Sequence, residues 1–259
     1  MSPRNTPKGE EEQGWYVYGI VEHDVEVLPD TRGIGHPPAP VESVVSGDLA
    51  ALVSRVAIDQ PIGDRDDLVA HEELLDTIAL DVPVLPLRFG AVMTSRDAVA
   101  QELLEPNHDL FADSLHELGD EVQYVVRARY VEEALIREIL DENPDTAELA
   151  EQLSGKSIES TRDAQIRLGE MIGVAAEAKR RADTDARIEA IGPVVAATNV
   201  RAPTHEQDAA HVAMLVDRDR DAELEETLGE LARTWSGRAT VRLLGPMAPY
   251  DFVATMQAA

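Results

Sequence analysis

Residues Glu121–Tyr130 repeat with a period of two. Val122, Tyr124, Val126, Ala128 and Tyr130 alternate with Glu121, Gln123, Arg127 and Arg129, and only Val125 departs from the pattern. That period belongs to a strand with one face buried and the other in water. A lone amphipathic strand is not stable, so this one needs neighbouring strands and a layer of structure over its apolar side. The chain that follows supplies both. Residues 131–142 read as a helix with Val131, Leu135 and Ile139 on one face, stopped by Asn143-Pro144-Asp145. A short helix at 146–153 and a long one at about 157–185 come next. In the long helix Leu168, Met171, Ala175, Ala178 and Ala182 form a 3-4-3-4 stripe.

Strands at 194–201 and 211–217, a helix at 222–235 and a strand at 239–244 complete the order β-α-(α-α)-β-β-α-β. Without the two extra helices this is the split βαβ, or ferredoxin-like, order. Upstream, Trp15-Tyr16-Val17-Tyr18-Gly19-Ile20-Val21 is a continuous apolar run with aromatic and β-branched residues, which predicts a buried strand. Pro29, Gly33, Gly35, Pro37, Pro38 and Pro40 mark a loop, and strands at 41–45 and 49–56 flank a turn at Ser46-Gly47-Asp48. Leu68, His71, Leu75 and Ile78 predict a helix over 66–80, with Asp66 and Asp67 suited to its first turn. Pro83 and Pro86 exclude a regular helix over 84–93 and predict an extended segment. Ser95 can cap a helix running to about 104, which Pro106 interrupts. Leu110, Phe111, Leu115 and Leu118 then resume helical spacing up to a stop at Gly119-Asp120.

The expected architecture is therefore α+β, in two domains. Residues 1–13 form a disordered tail and 14–119 an N-terminal α+β domain. Residues 120–242 form a modified ferredoxin-like domain with a helical insertion at 143–187. Residues 243–259 are a C-terminal tail docked on the body, because Tyr250, Phe252 and Val253 gain by burial.

Asp and Glu number 50 against 23 Lys and Arg, a net charge of −27 over 259 residues. Affinity for phosphate backbones rests on clustered cations, so nucleic acid is excluded as a partner and an anionic lipid membrane is disfavoured. With 44% hydrophobic residues a core can still form. Lys8, Lys156 and Lys179 are the only lysines, and every other basic residue is arginine. The absence of cysteine excludes disulfides, thiolate metal sites and Cys nucleophiles. No window approaches 18 uncharged apolar residues, and the polar N-terminus lacks the apolar core of a signal peptide, so a soluble cytoplasmic protein is expected.

No enzyme, cofactor or metal site emerges. His71 falls on the apolar stripe with Leu68 and Leu75 and reads as a buried, hydrogen-bonded histidine. His71-Glu72-Glu73 does not continue into a zinc motif. Asp217-Arg218-Asp219-Arg220-Asp221 opens like a calcium loop, but Ala222 and Leu228 stand where Gly and Glu are needed. It reads instead as a solvated turn with Asp221 capping the next helix. Gly33-Ile34-Gly35 lacks the rest of a phosphate cradle, and Lys179-Arg180-Arg181 suits the late turns of a helix.

Two segments remain chemically unusual: Arg88 embedded in the apolar run at 84–93, and Gly245-Pro246-Met247-Ala248-Pro249-Tyr250-Asp251-Phe252. With Tyr16-Val17-Tyr18-Gly19-Ile20, and His71 followed by Leu85-Pro86-Leu87-Arg88-Phe89-Gly90, they make the chain resemble the gas vesicle protein F/L family (GvpF/GvpL) from about residue 15 to 253. The family's last motif has Trp and Pro where Met247 and Ala248 stand. The stretch Leu168-Gly169-Glu170-Met171-Ile172 resembles the L-type members more than the F-type.

The resemblance implies two α+β domains, the second ferredoxin-like with extra helices, and no catalytic residues. It implies an accessory or minor structural protein of gas vesicle assembly, cytoplasmic and associated with the gas vesicle, that binds the hydrophobic major shell protein and other accessory proteins. The interaction candidates are Leu85, Leu87, Arg88, Phe89 and Gly90. Gly245, Pro246, Pro249, Tyr250 and Phe252 are expected to dock the tail. A small-molecule-sensing ferredoxin-like regulatory protein is the alternative.

Overall fold

The computed structural model describes residues 13–57 and 62–256. The expected tail therefore lies outside the described residues, apart from Gln13, which opens the first strand. The class is α+β, as the sequence predicts. Two compact units are present: Met1–Gln123 with Pro246–Ala259, and Tyr124–Gly245.

The first unit is built on β1 (Gln13–Glu22), β2 (Val41–Ser46) and β3 (Leu49–Ala57), followed by α1 (Arg65–Ala79). Two short strands, β4 (Leu85–Pro86) and β5 (Val92–Met93), also pair with β1, giving the order β2-β3-β1-β4 with β5 on β1. Tyr16, Val17, Tyr18, Ile20 and Val21 are fully buried at its centre, which is why β1 is apolar without alternation. The β1–β3 register shifts between Val17 and Gly19.

Helix α1 is capped by Asp64, whose side chain accepts from the Asp67 amide, with Asp66 and Asp67 in the first turn as expected. Ser95 caps α2 (Arg96–Ala98) by accepting from the Ala98 amide. The chain then stays helical through a π-helical stretch, 99–104, and a 3₁₀ turn, 105–107, into α3 (His108–Leu118). Pro106 therefore re-phases the helix instead of breaking it. It lies in the first turn of the 3₁₀ piece, where its missing N–H costs little.

The second unit contains most of β6 (Glu121–Tyr130), α4 (Glu132–Glu142), α5 (Pro144–Leu153), α6 (Ile158–Ile191), β7 (Ala197–Val200), β8 (Asp208–Asp217), α7 (Asp221–Thr234) and β9 (Ala239–Met247), with sheet order β7-β8-β6-β9. Helix α8 (Tyr250–Met256) belongs to the first unit.

Four expectations need correction. The strand expected to end at residue 244 runs on through Gly245-Pro246-Met247. β9 is an edge strand, where a proline is tolerated because one side of the backbone has no ladder to complete. In β6 the expected wet face is wet only at its end, since Gln123 and Val125 are buried and Arg129 is exposed. On α6 the expected stripe holds at half-buried Leu168, Met171 and Ala175 but ends there: Ala178 and Ala182 are exposed, and Lys179, Arg180, Asp183 and Thr184 are half-buried or buried instead. Those polar residues turn inward because partners await them: Lys179 lies 3.0 Å from Glu138 and 2.7 Å from Glu142. Finally, Asp221 is the first residue of α7 and not the residue before it: it accepts from the Ala222 amide at 2.6 Å, while Asp217 caps the preceding 3₁₀ turn, 218–220, by accepting from the Asp219 amide at 2.8 Å.

Candidate functional site

The segment 84–93 runs antiparallel to β1 and lifts off it in the middle. Leu85 and Pro86 pair with Ile20 and Gly19, and Val92 and Met93 pair with Tyr16 and Trp15. Between them, the Leu87 amide donates to the Tyr18 carbonyl at 2.8 Å and the Ala91 carbonyl accepts from the Val17 amide at 2.9 Å. Arg88, Phe89 and Gly90 form the crest of this bulge. Gly90 has φ +95°, a conformation that side chains disfavour. Gly19 explains how the strands come so close. A Cβ there would lie 2.8 Å from the Leu85 carbonyl oxygen and 2.9 Å from Leu75 Cδ2.

Of the five interaction candidates, Leu85 is 1% exposed and belongs to the core. Leu87 and Phe89 are half-buried, while Arg88 and Gly90 are exposed. Arg88 forms no ion pair among the described residues.

The crest is pinned from below by Tyr16 and His71. The Tyr16 hydroxyl accepts from the Gly90 amide at 3.1 Å and lies 2.9 Å from His71 Nδ1. His71 is 1% exposed, as its place on the apolar stripe predicts. Burial pushes its pKa down to about 4, against the opposing influence of the Leu87 backbone. The ring is therefore neutral at pH 7, and the donor count assigns Nδ1 as the acceptor of the Tyr16 proton. Nε2 is buried beside Leu87 with no hydrogen bond of normal geometry among the described residues. Phe89 stands edge-on to His71 at 5.5 Å, and Tyr18 stacks on it at 5.7 Å. Tyr18 in turn donates to Ser54 at 2.8 Å and accepts from the Ile34 amide at 2.9 Å. Burial raises the pKa of both tyrosines, so both keep their protons.

The C-terminal motif completes the site. Ala248 is fully buried and its amide donates to Asp76 at 2.9 Å. Proline, which the resemblance places at this position, has no N–H to give, so Ala248 supplies a hydrogen bond that proline could not. Asp251 bridges to Gln123 in both directions: its amide donates to Gln123 Oε1 at 3.0 Å, and Gln123 Nε2 donates to its carboxylate at 2.7 Å. Pro249, Phe252 and Val253 are buried, and the Tyr250 ring lies 6.3 Å from that of His71. Gly245 and Pro246 lie in β9, and Met247 is half-buried. Leu87, Phe89, Ala91, Leu103, Tyr250 and Val253, with Arg88 beside them, line a cavity of about 500 Å³. The lining is apolar except for one cation and one phenol.

Other clusters have local structural explanations. His36, Asp64 and Asp67 bring three donor atoms within 4.8 Å. Asp67 accepts from the Gly35 and Gly63 amides at 2.9 and 3.1 Å, and Asp64 caps α1 while pairing with His36 at 2.8 Å. Arg180 donates to the carbonyls of Asp208 and Glu206, tying α6 to β8 and its approach.

Sequence reading did not single out Asp208 or Arg238. Asp208 is 1% exposed. Burial acts to raise its pKa, but hydrogen bonds from Thr204 and His205 and the charge of Arg127 outweigh that and bring it to about 2. Arg238 grips Glu138 at 2.8 Å and Asp183 at 2.6 Å, and lies 5.5 Å from the rings of Tyr130 and Trp235. One acid among 50 carries no signal of its own, so spacing could not have found Asp208.

Comparison with known proteins covers nearly the whole chain. The family profile described as "Gas vesicle synthesis protein GvpL/GvpF" matches residues 14–254. A gas vesicle protein F from a Streptomyces species is 34% identical over 92% of this chain and 98% of its own length. The protein of the same name from Dolichospermum flosaquae is 22% identical over 92% and 96%. Crystal structures of GvpF from an Anabaena species and from Microcystis aeruginosa superpose with TM-scores of 0.78 and 0.74. Each covers 93% of this chain and 98% of its own, at 20% identity. These relatives are all F proteins, while the matching family profile covers both F and L.

Proposed function

The chain belongs to the gas vesicle synthesis protein GvpL/GvpF family, and on that premise we propose that it is an accessory protein of gas vesicle assembly that binds the hydrophobic shell protein and other accessory proteins. Membership itself implies a role in gas vesicle formation. The observation that supports the finer reading is the apolar cavity under the Arg88-Phe89-Gly90 crest. A small, very hydrophobic subunit must be kept from aggregating before it is incorporated. An apolar recess on a strongly charged protein suits that task, because the recess takes up the apolar surface while the charge keeps the pair hydrated. The rigid seat of the crest on Tyr16 and His71 lowers the cost of ordering it on binding.

The protein acts through contacts, not catalysis, and works in the cytoplasm on the growing vesicle. Among the described residues no helix is long and apolar enough to cross a membrane. We read the second unit as the split βαβ arrangement, on its element order and the strand order β7-β8-β6-β9.

The test is co-purification of the full chain with the shell protein. Wild type retains the shell protein, and Leu87→Asp or Phe89→Asp, at half-buried positions, reduces retention about tenfold while circular dichroism stays unchanged. Absence of retention by folded wild type overturns the reading.

A further inference from the structure

A second recess lies wholly within the second unit. The Asn143-Pro144 turn between α4 and α5 faces the middle of α6 across a groove of about 560 Å³ whose α6 wall is Met171, Val174, Ala175 and Ala178. Val174 is 73% exposed, the most of any exposed large hydrophobic residue described. Ile166, two turns earlier on α6, is 54% exposed. A Cβ added to Gly169 or Gly173, between them, meets nothing within 4 Å. This stretch of α6 therefore exposes Ile166, Gly169, Gly173 and Val174, with Met171 and Ala175 half-buried beside them.

Every charged residue lining the groove is acidic: Glu142, Asp145 and Glu170. Glu142 is paired with Lys179. Asp145 and Glu170 have no basic partner among the described residues. A second copy of this chain would bring its own charge of −27 against that rim, so charge complementarity selects a cationic partner over self-association.

We propose that the groove between α5 and α6 docks an amphipathic helix from a basic partner. Its apolar stripe covers Met171, Val174 and Ala175, and its Lys or Arg side chains face Asp145 and Glu170. Apolar residues at i, i+3, i+4 and i+7 on the incoming helix match such a groove. The surface is independent of the Arg88 crest, so either reading can fail without the other.

The test uses the full chain and a fluorescent helical peptide with Leu at i, i+3, i+4 and i+7 and Lys elsewhere, followed by anisotropy. Any cation is drawn to a protein of this charge, so the variants must separate groove from charge. Val174→Asp adds a negative charge at the groove. Simple attraction predicts equal or tighter binding, whereas docking predicts at least tenfold weaker binding. Leu28→Asp makes the same charge change at a 67%-exposed position in the first unit and should leave affinity unchanged. Asp145→Asn with Glu170→Gln should weaken binding severalfold and flatten its salt dependence. Because Val174 is exposed, Val174→Asp should keep the helical circular dichroism of wild type. Wild-type affinity in that variant overturns the proposal, as does sedimentation showing that wild type self-associates through Val174 and does not bind the peptide.

Discussion

The Tyr16 hydroxyl sits 2.9 Å from His71 Nδ1 and donates to a ring that burial keeps neutral, with a pKa of about 4. This pairing makes stability depend on pH with a definite sign. The unfolded histidine titrates near its ordinary value of about 6.5, so between about pH 6.5 and 4 the unfolded chain takes up a proton that the folded chain refuses. The contribution of neutral His71 is complete above pH 6.5, falls as the pH drops, and levels off near pH 4. The stability difference between wild type and His71→Gln should shrink by about 3 kcal/mol across that window. Denaturant titrations of both proteins at intervals from pH 7 to 4 measure it, and a constant difference would contradict the assignment.

Gly19→Ala should destabilise the first unit by about 1–3 kcal/mol through overpacking. The added carbon meets the Leu85 carbonyl, which cannot swing away without disturbing the β1–β4 pairing that seats the crest. Urea unfolding should show a lower midpoint, and on the function proposed above the variant should also retain less shell protein.

Asp251→Ala should cost about 1–3 kcal/mol, because Gln123, buried at 0% exposure, loses the acceptor for its amide. Thermal unfolding reads the loss. Limited proteolysis should show cleavage in α8 ahead of global unfolding.

Arg238→Lys should not rescue Arg238→Ala. A lysine keeps the charge but cannot reach Glu138 and Asp183 together with a planar fork or cover Trp235 in the same way. The alanine variant should lose about 2–4 kcal/mol by taking the guanidinium away from half-buried Asp183 and leaving Glu138 with Lys179 alone, and lysine should recover less than half of that. Paired chemical denaturation curves provide the check.

Much of the fold is legible in the chain because apolar periodicity marks strands and helices, even where, as in β6, burial does not alternate with it. β6, α1, α3 and α7 follow from their apolar spacing, and Ser95 and the first-turn acids of α1 from helix-end chemistry. The misreadings share a cause: the partner lies far away in sequence. Gln123 is buried because Asp251, 128 residues later, satisfies it. Lys179 and Asp183 face inward because Glu138 and Arg238 meet them. Gly245-Pro246 continues a strand because that strand has an open edge. The crest was visible as a cation inside an apolar run, but its seat on Tyr16 and His71 depends on side-chain contacts between elements, and no local pattern encodes them.

The chain leaves the first unit at Gln123 and returns to it only at Pro246. During synthesis, the second unit is fully available for folding while the first still lacks Ala248 for Asp76 and Asp251 for Gln123. The wall that Tyr250 and Val253 give the crest cavity is made last, so a nascent chain does not present the finished recess until the whole second unit has been translated. An apolar recess closed by two segments that flank the second unit in sequence is thus withheld until that unit has been made.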